Sequence, residues 1–315
     1  LSRKSYQFID TDGLRNWFDG NLDRRKRYTM LTFDDGWADN LIWATPILAE
    51  RGIRAVLALN TGLVDLADKE AEPRDAANYP IVDSKQALGD SAYDRDKSSF
   101  LNPNEIRAMV DSGVWDIQAH GDSHVACYDV NFKVRGFHPE KNHWTMKYAL
   151  CEPLFDGAPR AEFRSVLAAP KTRLNRQLTR MLKDASDNEE RRRICNSFDN
   201  PVDVCEHSRP FKERVWDDFA HCVKSIQTFT GTPSKSFFWP WGHYSERVEK
   251  LAQDYGFEML FTMDKGPVTA KTSPARIPRI AAPANFDKFK HQEWVFSHFA
   301  PRAVRDFFNL IRGRK

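Results

Sequence analysis

Tyr28-Thr29-Met30-Leu31-Thr32-Phe33, closed by Asp34-Asp35-Gly36, is the stretch from which the fold can be read. Its apolar and β-favouring residues read as a short buried strand, and the Asp-Asp-Gly triplet ends it with turn-forming residues. Two carboxylates therefore stand at the strand's C-terminal end. From Trp37 onward Leu41, Ile42, Ala44, Ile47 and Leu48 recur at helical spacing, Glu50-Arg51-Gly52 ends that helix, and residues 55–59 (AVLAL) make a second strand. Together these pieces form a β-α-β unit.

The alternation returns twice. Asn102 as N-cap and Pro103 at the first helical position predict a helix ending near Ser112-Gly113, followed by a strand over 114–119. A helix over 215–228, a strand over 236–239, a helix over 245–255 and a strand over 257–262 follow later. Repeated units of this kind imply parallel strands covered by helices, in an open sheet or a barrel. Two stretches break the pattern and read as insertions, about 63–100 and 127–210, the second with a long helical run near 160–194. Residues 1–315 read as one domain carrying these insertions.

Charge points away from nucleic acid, since 47 basic side chains nearly balance 44 acidic ones and leave a net +3. The clusters at Arg24–Arg27 and Arg191–Arg193 read as solvated faces. Five cysteines without a CxxC pair argue against a zinc ribbon or a complete disulfide framework, leaving room for one bridge. No run of ~18 apolar residues and no signal peptide is evident. The chain starts at Leu1 rather than Met, as a mature or trimmed product would.

The chemistry sits in His120-Gly121-Asp122-Ser123-His124, whose two imidazoles can chelate one ion from a helical turn or tight loop. Alone, this pair is as readily packing, and Asp-Asp-Gly as readily a turn. Both motifs fall at the C-terminal ends of strands, where barrel enzymes gather catalytic groups. Three protein ligands with an open position make a hydrolytic metal site. Such a metal lowers the pKa of water to ~7, and a neighbouring carboxylate can take the proton.

These motifs, followed by Phe238-Trp239-Pro240-Trp241-Gly242, resemble the NodB-homology polysaccharide deacetylases, carbohydrate esterase family 4. The resemblance covers roughly 28–62, 102–124 and 215–280. It implies an α/β fold, a distorted (β/α) barrel of seven strands. It implies Asp34 as catalytic base, with Asp35, His120 and His124 holding a divalent metal, zinc first and cobalt or nickel as alternatives. Pro240, Trp241 and Gly242 correspond to the third motif, usually Arg-x-Pro-Tyr-Gly, with the Trp241 N–H facing the oxyanion.

The departures are specific. Ser236, Phe237 and Phe238 stand where an arginine that tunes the base is often found, so that arginine is unassigned. The Trp-Pro-Trp-Gly form and Arg276-Ile277-Pro278-Arg279-Ile280 are similar to the poly-N-acetylglucosamine deacetylase branch, whose acid histidine lies upstream of the first motif. Residues 1–27 contain no histidine. His243 is the nearest candidate in sequence, with a surface-loop histidine as the alternative reading. His138 and His143, in the second insertion, are further candidates to reach over the site.

The expected activity is hydrolysis of N-acetyl groups from an N-acetylhexosamine glycan or a lipid-linked sugar, in a bacterial cell envelope or at the cytoplasmic face of a membrane. A deacetylase of small molecules and a glycan-binding module without turnover are the alternatives. Trp37, Trp239 and Trp241 either stack on sugar rings or pack in the core. Val304, Phe307, Phe308 and Ile311 share one helical face over 300–315 among Arg302, Arg305, Arg312, Arg314 and Lys315. That face lies on an anionic membrane or packs on the barrel. Deleting 300–315 abolishes binding to anionic liposomes in the first case and leaves it unchanged in the second.

Overall fold

The structure is a computed structural model that describes residues 6–67, 71–77, 79, 97–138, 151 and 155–298. The expected helix over 300–315 and His143 lie outside the described residues. The first part of the chain runs β1 (Tyr6–Phe8), α1 (Thr11–Phe18), β2 (Arg27–Thr29), β3 (Thr32–Asp35), α2 (Thr45–Glu50), β4 (Ala55–Leu59), α3 (Pro103–Asp111) and β5 (Trp115–Ala119). The single strand expected over 28–33 is thus two. β2 pairs in parallel with β1, and β3 with β4. Thr29 O accepts from Ile9 N on one side, and Leu31 O from Val56 N on the other. The chain changes partner between them, which curls the sheet.

The second insertion holds β6 (Ala126–Tyr128), β7 (Val134–Phe137), β8 (Pro159–Ala161), β9 (Phe163–Ser165), β10 (Thr172–Leu174), α4 (Arg176–Asp184), α5 (Asn188–Asn196) and β11 (Val202–Val204). The long helix expected near 160–194 is corrected by this. Burial alternates along β8 and β10, a period of two that suits strands, and the helical period begins only at the Asn175 cap. Ala185-Ser186-Asp187 then separates α4 from α5, with Asp187 capping the second. β6–β9, β7–β8 and β10–β11 are antiparallel pairs. Tyr128, Leu174, Leu178, Leu182 and Cys195 form a core of their own here.

The chain returns to the main sheet through α6 (Ser208–Thr230), β12 (Ser236–Phe238), α7 (Glu246–Tyr255), β13 (Met259–Phe261) and α8 (Phe286–His298). The main sheet has the order β13-β12-β5-β4-β3, all parallel, and curls as a half-barrel. Five strands in the main sheet and two in the β1–β2 pair give the arc of a barrel that does not close among the described residues. α3 starts as expected: Asn102 and Glu105 form a reciprocal capping box with Pro103 behind it. α6 ends at Gly231 in the left-handed region. Phe211, Val215, Phe219, Cys222 and Ile226 of α6 pack against Leu57, Leu59, Ala119, Phe237 and Trp239 of the sheet.

Register decides where the chemistry falls. Asp35 lies beside Leu59, Leu59 beside Ala119, and Ala119 beside Phe237. The residues that follow these positions therefore emerge in one row at the C-terminal edge. Cys127, Cys195, Cys205 and Cys222 are free thiols, so the bridge that the sequence allowed is not made. Among the described residues no helix is long and apolar enough to cross a membrane.

The second insertion is also knit into the main core, because Leu167, at 0% exposure, joins the β-sheet cluster rather than the insertion's own. Leu167→Ala should lower stability by about 2–5 kcal/mol in urea unfolding, the cost of a buried cavity. A change under ~0.5 kcal/mol, the size typical of surface positions, would contradict this placement.

Candidate active site

Asp34 and Asp35 close β3, and neighbouring strand residues ordinarily point to opposite faces. Asp35 has φ 76°, in the left-handed region that non-glycine residues seldom adopt. This twist breaks the alternation and brings the second carboxylate to the same end of the sheet as the first. Gly36 follows at φ 99°, and a Cβ there would come 2.5 Å from Leu59 Cδ1. Glycine is required for the backbone to pass.

The expected ligand trio is brought together. Asp35 Oδ1 lies 3.5 Å from His120 Nε2 and 3.4 Å from His124 Nε2, and one ligand atom from each residue falls within 4.8 Å of the others. These separations are too long for good hydrogen bonds. Asp35 Oδ1 is buried without a hydrogen-bond partner. Atoms bound ~2.1 Å from one ion in tetrahedral array lie ~3.4 Å apart, so the spacing fits a shared cation. His120 Nδ1 sits 2.9 Å from Phe238 O, which can only accept. Nδ1 therefore carries a proton, and the neutral ring presents its Nε2 lone pair to the trio.

The electrostatics agree with ligation. Burial pushes the Asp35 carboxyl up, but the His124 and His120 rings and the Trp37 N–H outweigh it and hold the group well below its ordinary range. Burial drives His124 down to about 4 against the pull of Asp35, keeping the ring neutral. His120 is opposed by burial too, yet Asp34 and Asp35 raise it. A cation among the three groups would answer the same negative charge.

Asp34 is held by a residue that sequence reading left unassigned. Arg279 Nη1 donates to Asp34 Oδ1 at 2.6 Å and Nη2 to Oδ2 at 2.9 Å, a bidentate pair. The guanidinium is itself fixed, with Nε donating to Thr262 O at 3.3 Å and its carbon 4.9 Å from the centre of the Phe238 ring. Arg279 reaches the site because Ile277 bridges Phe261 in parallel, carrying the segment along the edge of β13. The available signal was the Arg-Ile-Pro-Arg-Ile segment itself, whose arginines had no assigned partner.

Pro240, Trp241 and Gly242 form a single 3₁₀ turn after β12. Trp241 has φ 62°, and a Cβ on Gly242 would meet Met263 Cβ and Cγ at 2.5 Å. The Trp241 ring lies 4.7 Å from that of His124 and 5.4 Å from Phe163 of the insertion. Of the other tryptophans considered for the groove, Trp239 has 0% exposure and is core. Trp37 stacks on Phe100 at 4.4 Å and sends Nε1 to Asp35 Oδ2 at 3.4 Å.

His243 is placed differently from the trio. Its Nδ1 accepts from Ser165 N at 3.2 Å, and its ring stands edge-on to Phe163 at 5.8 Å. Burial lowers its pKa, with Arg164 adding to the effect. It is not part of the group formed by Asp35, His120 and His124. His138 is buried in the insertion, its backbone paired with Ala158 and Gly157.

Residues 21–152 match the sequence profile of the polysaccharide deacetylase family. No curated protein matches the sequence. The BpsB deacetylase domain from Bordetella bronchiseptica aligns at 18% identity and TM-score 0.54, over 88% of this chain and 80% of that one. A de-N-acetylase from Aggregatibacter actinomycetemcomitans aligns at 17% and 0.56, over 93% and 85%. IcaB from Ammonifex degensii aligns at 13% and 0.52, over 93% and 83%. Both the Asp-Asp and His-x-x-x-His motifs fall inside the segment that matches the polysaccharide deacetylase profile, and the chain has the fold of these deacetylases.

Proposed function

We propose that this chain is a metal-dependent deacetylase that hydrolyses the N-acetyl groups of an N-acetylhexosamine-containing glycan or glycoconjugate. The observation that carries the reading is the convergence of Asp35, His120 and His124 within 4.8 Å, beside an Asp34 clamped by Arg279. The trio would hold a divalent ion, zinc by its donor set, with cobalt or nickel accepted by the same atoms. Bound there, the ion would polarise the amide carbonyl and bring the pKa of water to ~7.

The residues then divide the work. Asp34 takes the proton of the attacking water as general base. Arg279 fixes the direction of its carboxylate through both oxygens. The Trp241 N–H lies in the first turn of a 3₁₀ element, where backbone donors lack helical partners, and is assigned to the developing oxyanion. One such donor supplies about 3 kcal/mol. Having received the water's proton, Asp34 is the group in place to return it to the leaving amine. His243, engaged with Ser165 and Phe163, is assigned to holding the insertion against the Trp241 turn.

Acetate release from N-acetylglucosamine oligomers, with zinc, cobalt or nickel supplied in turn, tests the reading. The wild-type chain should turn over, and a chelator should stop it. Asp34→Asn should lose at least ~100-fold in kcat while still binding zinc. His120→Ala should lose zinc binding itself. No acetate with any of the three metals, or full turnover by Asp34→Asn, would overturn it. Turnover of small acetamides with none of the oligomers would remove the glycan assignment and leave the metal chemistry standing.

Arg279→Met should lower kcat about tenfold or more with zinc affinity unchanged, since the side chain touches the base and not the trio. An unchanged kcat would show that Asp34 needs no such clamp.

A further inference from the structure

Asp122 and Ser123 join the two histidines of the trio, and both backbone N–H groups of this linker point at one side chain. Asp122 N donates to Asp218 Oδ1 at 2.8 Å, and Ser123 N to Asp218 Oδ2 at 2.9 Å. Asp218 stands on α6, 8% exposed, among Val215, Phe219 and Cys222, which are fully buried. The chain approaches it closely: Gly121 has φ 79°, and a Cβ there would lie 3.1 Å from Asp218 Oδ1 and 3.0 Å from Leu167 Cδ1. The opposite side of the linker is tied to the end of β4. Thr61 Oγ1 donates to Asp122 Oδ1 at 2.7 Å, Thr61 N to Gly121 O at 3.1 Å, and Asn60 Nδ2 to His120 O at 3.3 Å. A Cβ on Gly62 would come within 2.0 Å of Asp122 O, so the linker has no room to shift that way.

We infer that Asp218 is a positioning residue for the metal site: its two oxygens set the backbone of Asp122-Ser123 so that His120 Nε2 and His124 Nε2 converge with Asp35 before any ion arrives. This rests on the proposal that the trio holds a metal. Only an acceptor with two oxygens can serve both N–H groups. An isosteric amide satisfies one of them and turns its own N–H₂ against the other, inside a site too buried for water to compensate. Residues that orient ligands from behind typically change metal affinity 10–100-fold when altered.

The test uses the full chain at pH 8, above the value of about 7 to which burial raises the Asp218 carboxyl. Zinc dissociation constants are measured by competition with a chromophoric chelator, alongside the thermal midpoint of the zinc-free protein. D218N should weaken zinc binding 10–100-fold. A lower midpoint with wild-type zinc affinity would show that Asp218 only stabilises the fold, and would overturn the inference. A wild-type chain that binds none of zinc, cobalt and nickel would remove the metal proposal and this inference together. Hydrogen exchange on the wild-type chain decides the matter even where D218N does not fold. The Asp122 and Ser123 amides should be protected without zinc. Exchange at unprotected rates until zinc is added would mean that the ion orders the linker, and would overturn the role of Asp218.

Discussion

The hydrogen bond from His120 Nδ1 to the carbonyl of Phe238 ties the end of β5 to the end of β12, 118 residues further on. Much of the site depends on it. It selects the tautomer in which Nε2 is unprotonated and faces Asp35, which a neutral imidazole left to solvent would adopt only part of the time. It is possible only because β5 and β12 lie side by side, with Ala119 in register with Phe237. The same register carries Asp35 and Leu59 to the same edge. The parallel sheet thus acts as a ruler that converts distant sequence positions into one row of donors and acceptors.

Backbone strain falls where the function would need it. Asp35 and Trp241 are the two non-glycine residues with positive φ among the described residues, and both stand in the site. Such conformations cost of the order of 1–3 kcal/mol each and persist only where the surroundings enforce them. Both are followed by a glycine whose Cβ would collide with a core or wall side chain, Leu59 behind Gly36 and Met263 behind Gly242. Each turn is thereby pressed against the body of the protein, which fixes the proposed ligand in one case and the proposed oxyanion donor in the other.

Much of this was legible from local sequence. Residues 55–59 form a strand over the predicted span, Asn102-Pro103 starts its helix as predicted, and the trio comes from the motifs that carry the family resemblance. What was not legible is set by tertiary choices. Nothing in Met30-Leu31 announces that the chain changes neighbours there. α6 begins at Ser208 rather than near 215, because Arg209, Lys212 and Glu213 mask the apolar face that Phe211 opens. Arg279 lies 245 residues from Asp34, and no periodicity connects them. Asp218 reads as one more charged helix residue in Trp216-Asp217-Asp218-Phe219, and only the packing shows that it faces inward. The 127–210 stretch, read as an insertion, joins the body of the protein: Leu167 is part of the main core and Phe163 of the wall beside Trp241.

The central claim is that Asp35, His120 and His124 bind one hydrolytic metal while Asp34 stays free to act as base. Anomalous diffraction at the zinc edge, on crystals of the chain grown with zinc, tests it most directly. The account predicts a single strong peak ~2.0–2.2 Å from Asp35 Oδ1, His120 Nε2 and His124 Nε2, with Asp34 still paired to Arg279. A peak elsewhere, ligation through His120 Nδ1, or Asp34 drawn into the coordination sphere would contradict it.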